Sequence, residues 1–176
     1  MFQNPLIKIP LRYGLIAGVL GLLVNITLYY MGRHPALIFL FFDFRIIIFA
    51  IFIFIGLKEI RDYYYKGELL FWQGMAGSFV FITVFALLVS ILLLIFIQIQ
   101  PDYVSAYVIS VKESLSKFSG ADIDKVGKQA FEEELVKIKS IDGLFLATRY
   151  FIQCYGIGVF ISIIISVILR KQTKPE

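Results

Sequence analysis

Four long apolar stretches decide what this chain can become. They cover residues 14–31, 36–57, 77–99 and 144–169. Each is long enough for a helix to cross a hydrocarbon core of about 30 Å, which takes about 20 residues. The rest of the composition agrees. The chain is 59% hydrophobic and 17% charged, with a mean hydropathy of +0.83, whereas soluble domains run at roughly 45–50% apolar and roughly 25% charged. No ten-residue segments alternate in polarity, so a β-barrel is excluded. Helices satisfy their own backbone groups, as lipid requires. Residues 1–176 therefore read as one integral membrane domain of the all-α class. It is a four-transmembrane-helix bundle with an amphipathic helical extracytoplasmic insertion between spans three and four.

Lysine and arginine set the orientation. Lys8 and Arg12 precede span one, Lys58, Arg61 and Lys66 lie between spans two and three, and Arg170, Lys171 and Lys174 follow span four. With four spans these groups share one side. The opposite side has Arg33 and a long loop, 100–143, in which acidic residues outnumber lysines. Both termini are thus expected in the cytoplasm. Tyr13, Tyr63–Tyr65 and Trp72 would sit at the inner interface, and Tyr29, Tyr30, Tyr103 and Tyr107 at the outer one. Span one is longer than a signal-peptide core and no cleavage pattern follows it, so it reads as retained.

The long loop carries its own pattern over about 101–140. Tyr103, Val104, Tyr107, Val108, Val111, Leu115 and Phe118 form a helical stripe. Ser119–Asp122 reads as a break, and Ile123, Val126, Ala130, Phe131, Leu135 and Ile138 form a second stripe. These spacings predict two amphipathic helices that cover their own protein or lie on lipid.

Several short pieces carry a family likeness. Asn4-Pro5-Leu6-Ile7-Lys8 leads to Tyr13-Gly14-Leu15-Ile16-Ala17-Gly18. Lys66-Gly67-Glu68-Leu69-Leu70-Phe71-Trp72-Gln73-Gly74 and Gly77 open span three. Pro101-Asp102-Tyr103 follows it, and Arg170-Lys171 closes span four. In order and spacing the chain resembles the small four-span inner-membrane proteins of Bacteroidota catalogued as domain of unknown function 4199. The resemblance implies topology and location and transfers no catalytic residue.

Charge inside the spans is the informative oddity. Each ionisable group costs at least about 2.5–3.5 kcal/mol at a helix centre, so such groups turn inward and find partners. At 1.5 Å per residue, Asn25 and Asp43 lie about 10 Å below the outer ends of their spans, Arg149 about 8 Å, and Arg45 and Gln153 about 14 Å. These five form an intramembrane polar layer. Asp43 and Arg45 are two apart, about 200° around a helix, and so should not face one another. The expected pair is Asp43 with Arg149, with Asn25 and Gln153 completing the hydrogen bonds and Arg45 snorkelling or lining a crevice. Gly14, Gly18, Gly21 and Gly156 are expected to pack helices closely.

The single Cys154 and single His34 exclude an intrachain disulfide and a Cys/His zinc cluster. No metal site, cofactor or catalytic residue is expected, and the balance leans away from an enzyme without deciding it. The net charge of +4 sits at span ends and does not point to nucleic acid. Expected partners are the lipid bilayer and either another membrane protein or further copies of the chain. Three readings remain open: an accessory or scaffold subunit of an envelope complex; a small transporter or lipid-binding protein that recognises an anionic headgroup in the polar layer; and, with least support because no paired carboxylates share a span, an intramembrane enzyme.

Overall fold

The computed structural model describes residues 4–38, 43–117, 129, 136, 138 and 140–171. Among these residues all regular structure is helical. Helix α1 spans Pro5–Tyr30, α2 Phe44–Glu59, α3 Phe71–Ile99, α4 Asp102–Ser116 and α5 Gly143–Leu169, with a short 3-10 turn at Pro35–Leu37 and a π-helical turn at Ile60–Tyr64. Three helices, α1, α3 and α5, are long and apolar enough to cross a membrane.

Local chemistry sets the boundaries. Asn4 caps α1 by accepting the Leu6 N–H at 3.0 Å, and Pro5 occupies the first helical position, where its missing N–H costs nothing. Helix α1 therefore starts nine residues earlier than the hydropathy of residues 14–31 implied. Asp142 caps α5 by accepting the Phe145 N–H at 2.7 Å. The largest departure is span two. The expected helix over 36–57 is not continuous, because α2 starts only at Phe44. Residue 38 is extended and so is Asp43, with φ −73° and ψ 123°. Aspartate is a strong N-cap residue, and here its carboxylate accepts the Arg45 N–H at 2.9 Å. The 16 residues of α2 give about 24 Å of helix, short of the about 30 Å of a hydrocarbon core.

The four long helices pack as a ring, with α3 between α1 and α5, and α2 against α1 and α5. Helices α1 and α3 run parallel and meet through glycine. A Cβ at Gly14 would lie 3.0 Å from Val84, one at Gly18 2.8 Å from Leu88, and one at Gly21 2.7 Å from the Phe85 ring. Helices α3 and α5 run antiparallel and meet along small residues at four-residue intervals. Cys154, Gly158, Ser162 and Ser166 form the buried ridge of α5, and Gly74, Ser78, Ile82, Ala86 and Ser90 that of α3. A Cβ at Gly158 would stand 2.6 Å from Ile82, and one at Gly74 2.7 Å from the Ser166 hydroxyl. Ser90 Oγ donates to the Ala147 carbonyl at 3.2 Å. Gly156 does not join this ridge: a Cβ there meets nothing within 4 Å among the described residues. It lies two positions, about 200°, from Gly158 on the helix, so the packing role expected of Gly156 belongs to Gly158.

One end of the ring gathers the cations near the beginning of α1, the α2–α3 connection and the end of α5. Arg12 pairs with Glu59 at 2.6 Å, Tyr13 donates to the same carboxylate at 2.7 Å, and Lys171 pairs with Glu68. At the other end lies α4. Its Tyr103 and Tyr107 are buried, while Val104, Val108, Val111 and Leu115 are half-buried, so the first stripe of the long loop faces protein. The second stripe, from Ile123 to Ile138, lies outside the described residues except for Ile138.

Leucine in place of Gly158 is expected to destabilise the bundle by about 1–3 kcal/mol through overpacking. The same change at Gly156 should cost less than about 0.5 kcal/mol, as at other open positions. Thermal unfolding of both variants in detergent checks the contrast, and equal losses would contradict the ridge.

Candidate functional site

The N-terminus of α2 ends inside the ring, and the most concentrated polar chemistry of the molecule collects around it. Because Asp43 is the cap and not a helical residue, the helix wheel does not govern where its side chain goes. The carboxylate folds over the first turn and meets the Arg45 side chain. Arg45 Nε donates to both carboxylate oxygens at 2.8 and 2.9 Å, and Nη2 donates to Oδ2 as well. The remaining guanidinium capacity goes to α5. Nη2 donates to Gln153 Oε1 at 3.0 Å and Nη1 to Cys154 Sγ at 3.7 Å, with the guanidinium carbon 4.5 Å from the centre of the Tyr150 ring. Asp43 is 3% exposed and Arg45 2%. The Asp43–Arg149 pair expected from helical spacing is therefore replaced by Asp43–Arg45, and Arg45 neither snorkels nor lines a crevice.

A second tier lies above this pair. Tyr103 of α4 donates its hydroxyl to Asn25 Oδ1 at 3.0 Å, so Asn25 serves α4 and not the ion pair. Asn25 Nδ2 and the Tyr150 hydroxyl, both buried, have no hydrogen-bond partner among the described residues. The Tyr103 ring lies 5.0 Å from Tyr29 and 4.5 Å from His34, centre to centre. His34 Nε2 lies 3.0 Å from the Tyr103 carbonyl, and Nδ1 lies 3.3 Å from the Ala36 N–H. A carbonyl only accepts and an amide N–H only donates, so the ring is neutral and carries its proton on Nε2. Burial holds the His34 pKa below its ordinary 6.5, against the pull of the Tyr103 carbonyl. Tyr103 and Tyr107, expected at the outer interface, are instead buried, and His34 packs against both rings.

The outermost tier is Arg149. Its Nη1 donates to the Tyr107 hydroxyl at 2.8 Å, and its guanidinium carbon is 5.8 Å from the centre of that ring. Arg149 and Gln153 share one face of α5 with Phe145, Thr148 and Ile152, and these five line an open groove of about 420 Å³. No group of three His, Cys, Asp or Glu side chains suited to a metal ion occurs among the described residues.

A family model described as a protein of unknown function, DUF4199, matches residues 12–171. The chain belongs to this family. No curated protein and no solved structure matches it. Three apolar helices of membrane-spanning length make this DUF4199 member a membrane protein whose helices contact lipid, and among the described residues its chemistry concentrates in the charged tiers.

Two tests follow from the geometry. Arg45→Met strands a buried carboxylate and is expected to cost about 3–5 kcal/mol. Adding Asp43→Asn, which retains the cap, should recover most of that loss. Arg149→Ala should cost less than about 1 kcal/mol, as for a partly exposed charge. Unfolding of these three variants and of the Asp43→Asn single variant in mixed micelles measures the cycle, and a larger loss for Arg149→Ala than for Arg45→Met would contradict the pairing. The second test concerns acid. Because the His34 pKa is lowered on folding, its contribution is fully present above about 6.5 and declines as pH falls through the lower folded value. Wild type should lose melting temperature on acidification more steeply than His34→Gln, and parallel pH profiles would overturn the assignment.

Proposed function

We propose that the chain is a four-span protein of the bacterial inner membrane that serves as a non-enzymatic accessory or scaffold subunit of an envelope complex. In this reading α2, together with the chain leading into it from Pro35, forms the fourth crossing. The start of α1 and the end of α5 face the cytoplasm and α4 faces outward. The observation that carries the reading is the closure of the Asp43–Arg45 pair. Every guanidinium nitrogen is engaged, and both side chains are sealed from solvent. A charge arranged in this way fixes the register between α2 and α5. It offers no open coordination position, no activated nucleophile and no path for a substrate.

The cation-rich end of the ring supports the orientation, since Arg12, Lys58, Arg61 and Lys171 cluster near α-helix ends on one side. The outward helix supports the scaffold role. Helix α4 buries Tyr103 and Tyr107 against the ring while leaving Ile109 exposed on its far side, a firmly anchored helix with a free face.

The buried Cys154 is the sole cysteine, which makes single-cysteine labelling clean. In a Cys154→Ser background, Ser116→Cys should react with a membrane-impermeant maleimide in intact cells, and Lys66→Cys only after lysis. The reverse pattern would overturn the orientation. A photo-crosslinking side chain at position 109 should give one discrete protein adduct. Its absence would refute the scaffold role.

A further inference from the structure

We propose that the groove on α5 lined by Phe145, Thr148, Arg149, Ile152 and Gln153 binds the phosphate of an anionic glycerophospholipid in the leaflet on the α4 side. This goes beyond the scaffold reading and rests only on α5 crossing a bilayer.

The argument begins with depth. Helix α5 has 27 residues, about 40 Å of length, and exceeds a hydrocarbon core by about 10 Å. Centred in the core, it places the Arg149 backbone about 4 Å inside the hydrocarbon edge on the α4 side. Helical side chains lean toward the N-terminus, and here the N-terminus is the near surface. The Arg149 guanidinium thus rises to the level of lipid phosphates. Its contact among the described residues is the neutral Tyr107 hydroxyl. That bond uses one N–H of a group that has five, and it holds the fork in place. Tyr107 carries no charge to neutralise it.

From the surface inward the groove runs Phe145, Thr148, Arg149, Ile152 and Gln153, and Thr148 is exposed. Gln153 gives its Oε1 to Arg45, which leaves its amide N–H groups as donors. Ile152, 64% exposed and about one turn deeper than Arg149, supplies an apolar wall for an acyl chain. Arg45 is on hand yet already neutralised by Asp43, so among the described residues Arg149 is the cation of this site that no carboxylate pairs with. A phosphodiester matches an arginine fork geometrically, and its attached chains match the apolar wall. A soluble anion would match only the fork.

The probe is dioleoyl-phosphatidylglycerol added to the full chain in mild detergent, with bound lipid read by native mass spectrometry. The expected result is a one-to-one adduct that Arg149→Gln weakens about tenfold, one charge-assisted hydrogen bond's worth. Arg12→Gln, at the opposite end, should leave it unchanged. Ile152→Trp keeps the charge and fills the groove on an exposed face, and it should also abolish the adduct. This variant decides the matter should Arg149→Gln not fold. Excess inorganic phosphate should not displace the lipid. Unchanged binding in Arg149→Gln or Ile152→Trp, equal loss in Arg12→Gln, or displacement by phosphate would each overturn the site. None of these outcomes bears on the labelling that tests orientation or on the crosslink at position 109.

Discussion

A charge cannot remain alone inside a bilayer-spanning bundle, and the architecture follows from how Arg45 meets that constraint. Its partner is two residues away, a separation that regular helix geometry puts on opposite faces. The two meet because the helix starts between them. Asp43 stays extended, caps the first turn and turns its carboxylate onto the guanidinium. One carboxylate therefore does two jobs, satisfying the orphan amides of a helix start and neutralising a buried cation. The consequence is a short α2. At that end the Tyr103 and Tyr107 rings pack against His34, and Tyr103 bonds Asn25 of α1, which ties α4 to the ring of long helices.

The remainder of the ring is held by shape. Lipid tails are as apolar as leucine, so burial of hydrocarbon gives helices little reason to associate with one another in the membrane. Close approach of backbones does, because it multiplies dispersion contacts. Both principal interfaces use this. The glycines of α1 admit Val84, Leu88 and Phe85, and the Gly158–Ser162–Ser166 ridge admits the small residues of α3. Ser162 returns its hydroxyl to the Gly158 carbonyl at 2.6 Å, and Ser90 to that of Ala147 at 3.2 Å. Polar atoms can thus be packed at an apolar depth.

Much of this was legible in the sequence. Hydropathy located α5 to within a residue, whereas α3 starts at Phe71, ahead of the expected residue 77, and α1 at Pro5, ahead of the expected residue 14, where Asn4 and Pro5 were the available signals. The residues that gather near the head of α2 were also legible by depth alone, since Arg45 and Gln153 are in contact and Asn25 and Arg149 lie in the tiers above. Partner assignment was not. It was drawn from a helix wheel carried through a position that is not helical. The signal against it was present, an aspartate directly ahead of an unbroken apolar run, which is an N-cap pattern. Gly156 and Gly158 illustrate the same limit. Composition marks both, and only the four-residue recurrence from Cys154 to Ser166 separates the buried one from the open one. The burial of Tyr103 could not be read from its stripe, because an amphipathic face specifies that something covers it and not what.

Gln153 links the closed chemistry of this protein to its open face. Its carbonyl completes the Arg45 shell, and its side chain also borders the groove that holds Arg149. The inner arginine is neutral as a pair and contributes little field beyond its own contacts, since Asp43 cancels it at bonding distance. Arg149, some four residues nearer the surface, has only a phenol hydroxyl and ring beside it. The two arginines therefore differ in electrostatic consequence though they stand on adjacent helices. One fixes how α2 meets α5, and the other leaves that joint with a positive rim. A substitution at Gln153 would act on both at once, loosening the inner shell and altering the rim. That coupling distinguishes it from every other member of the polar layer.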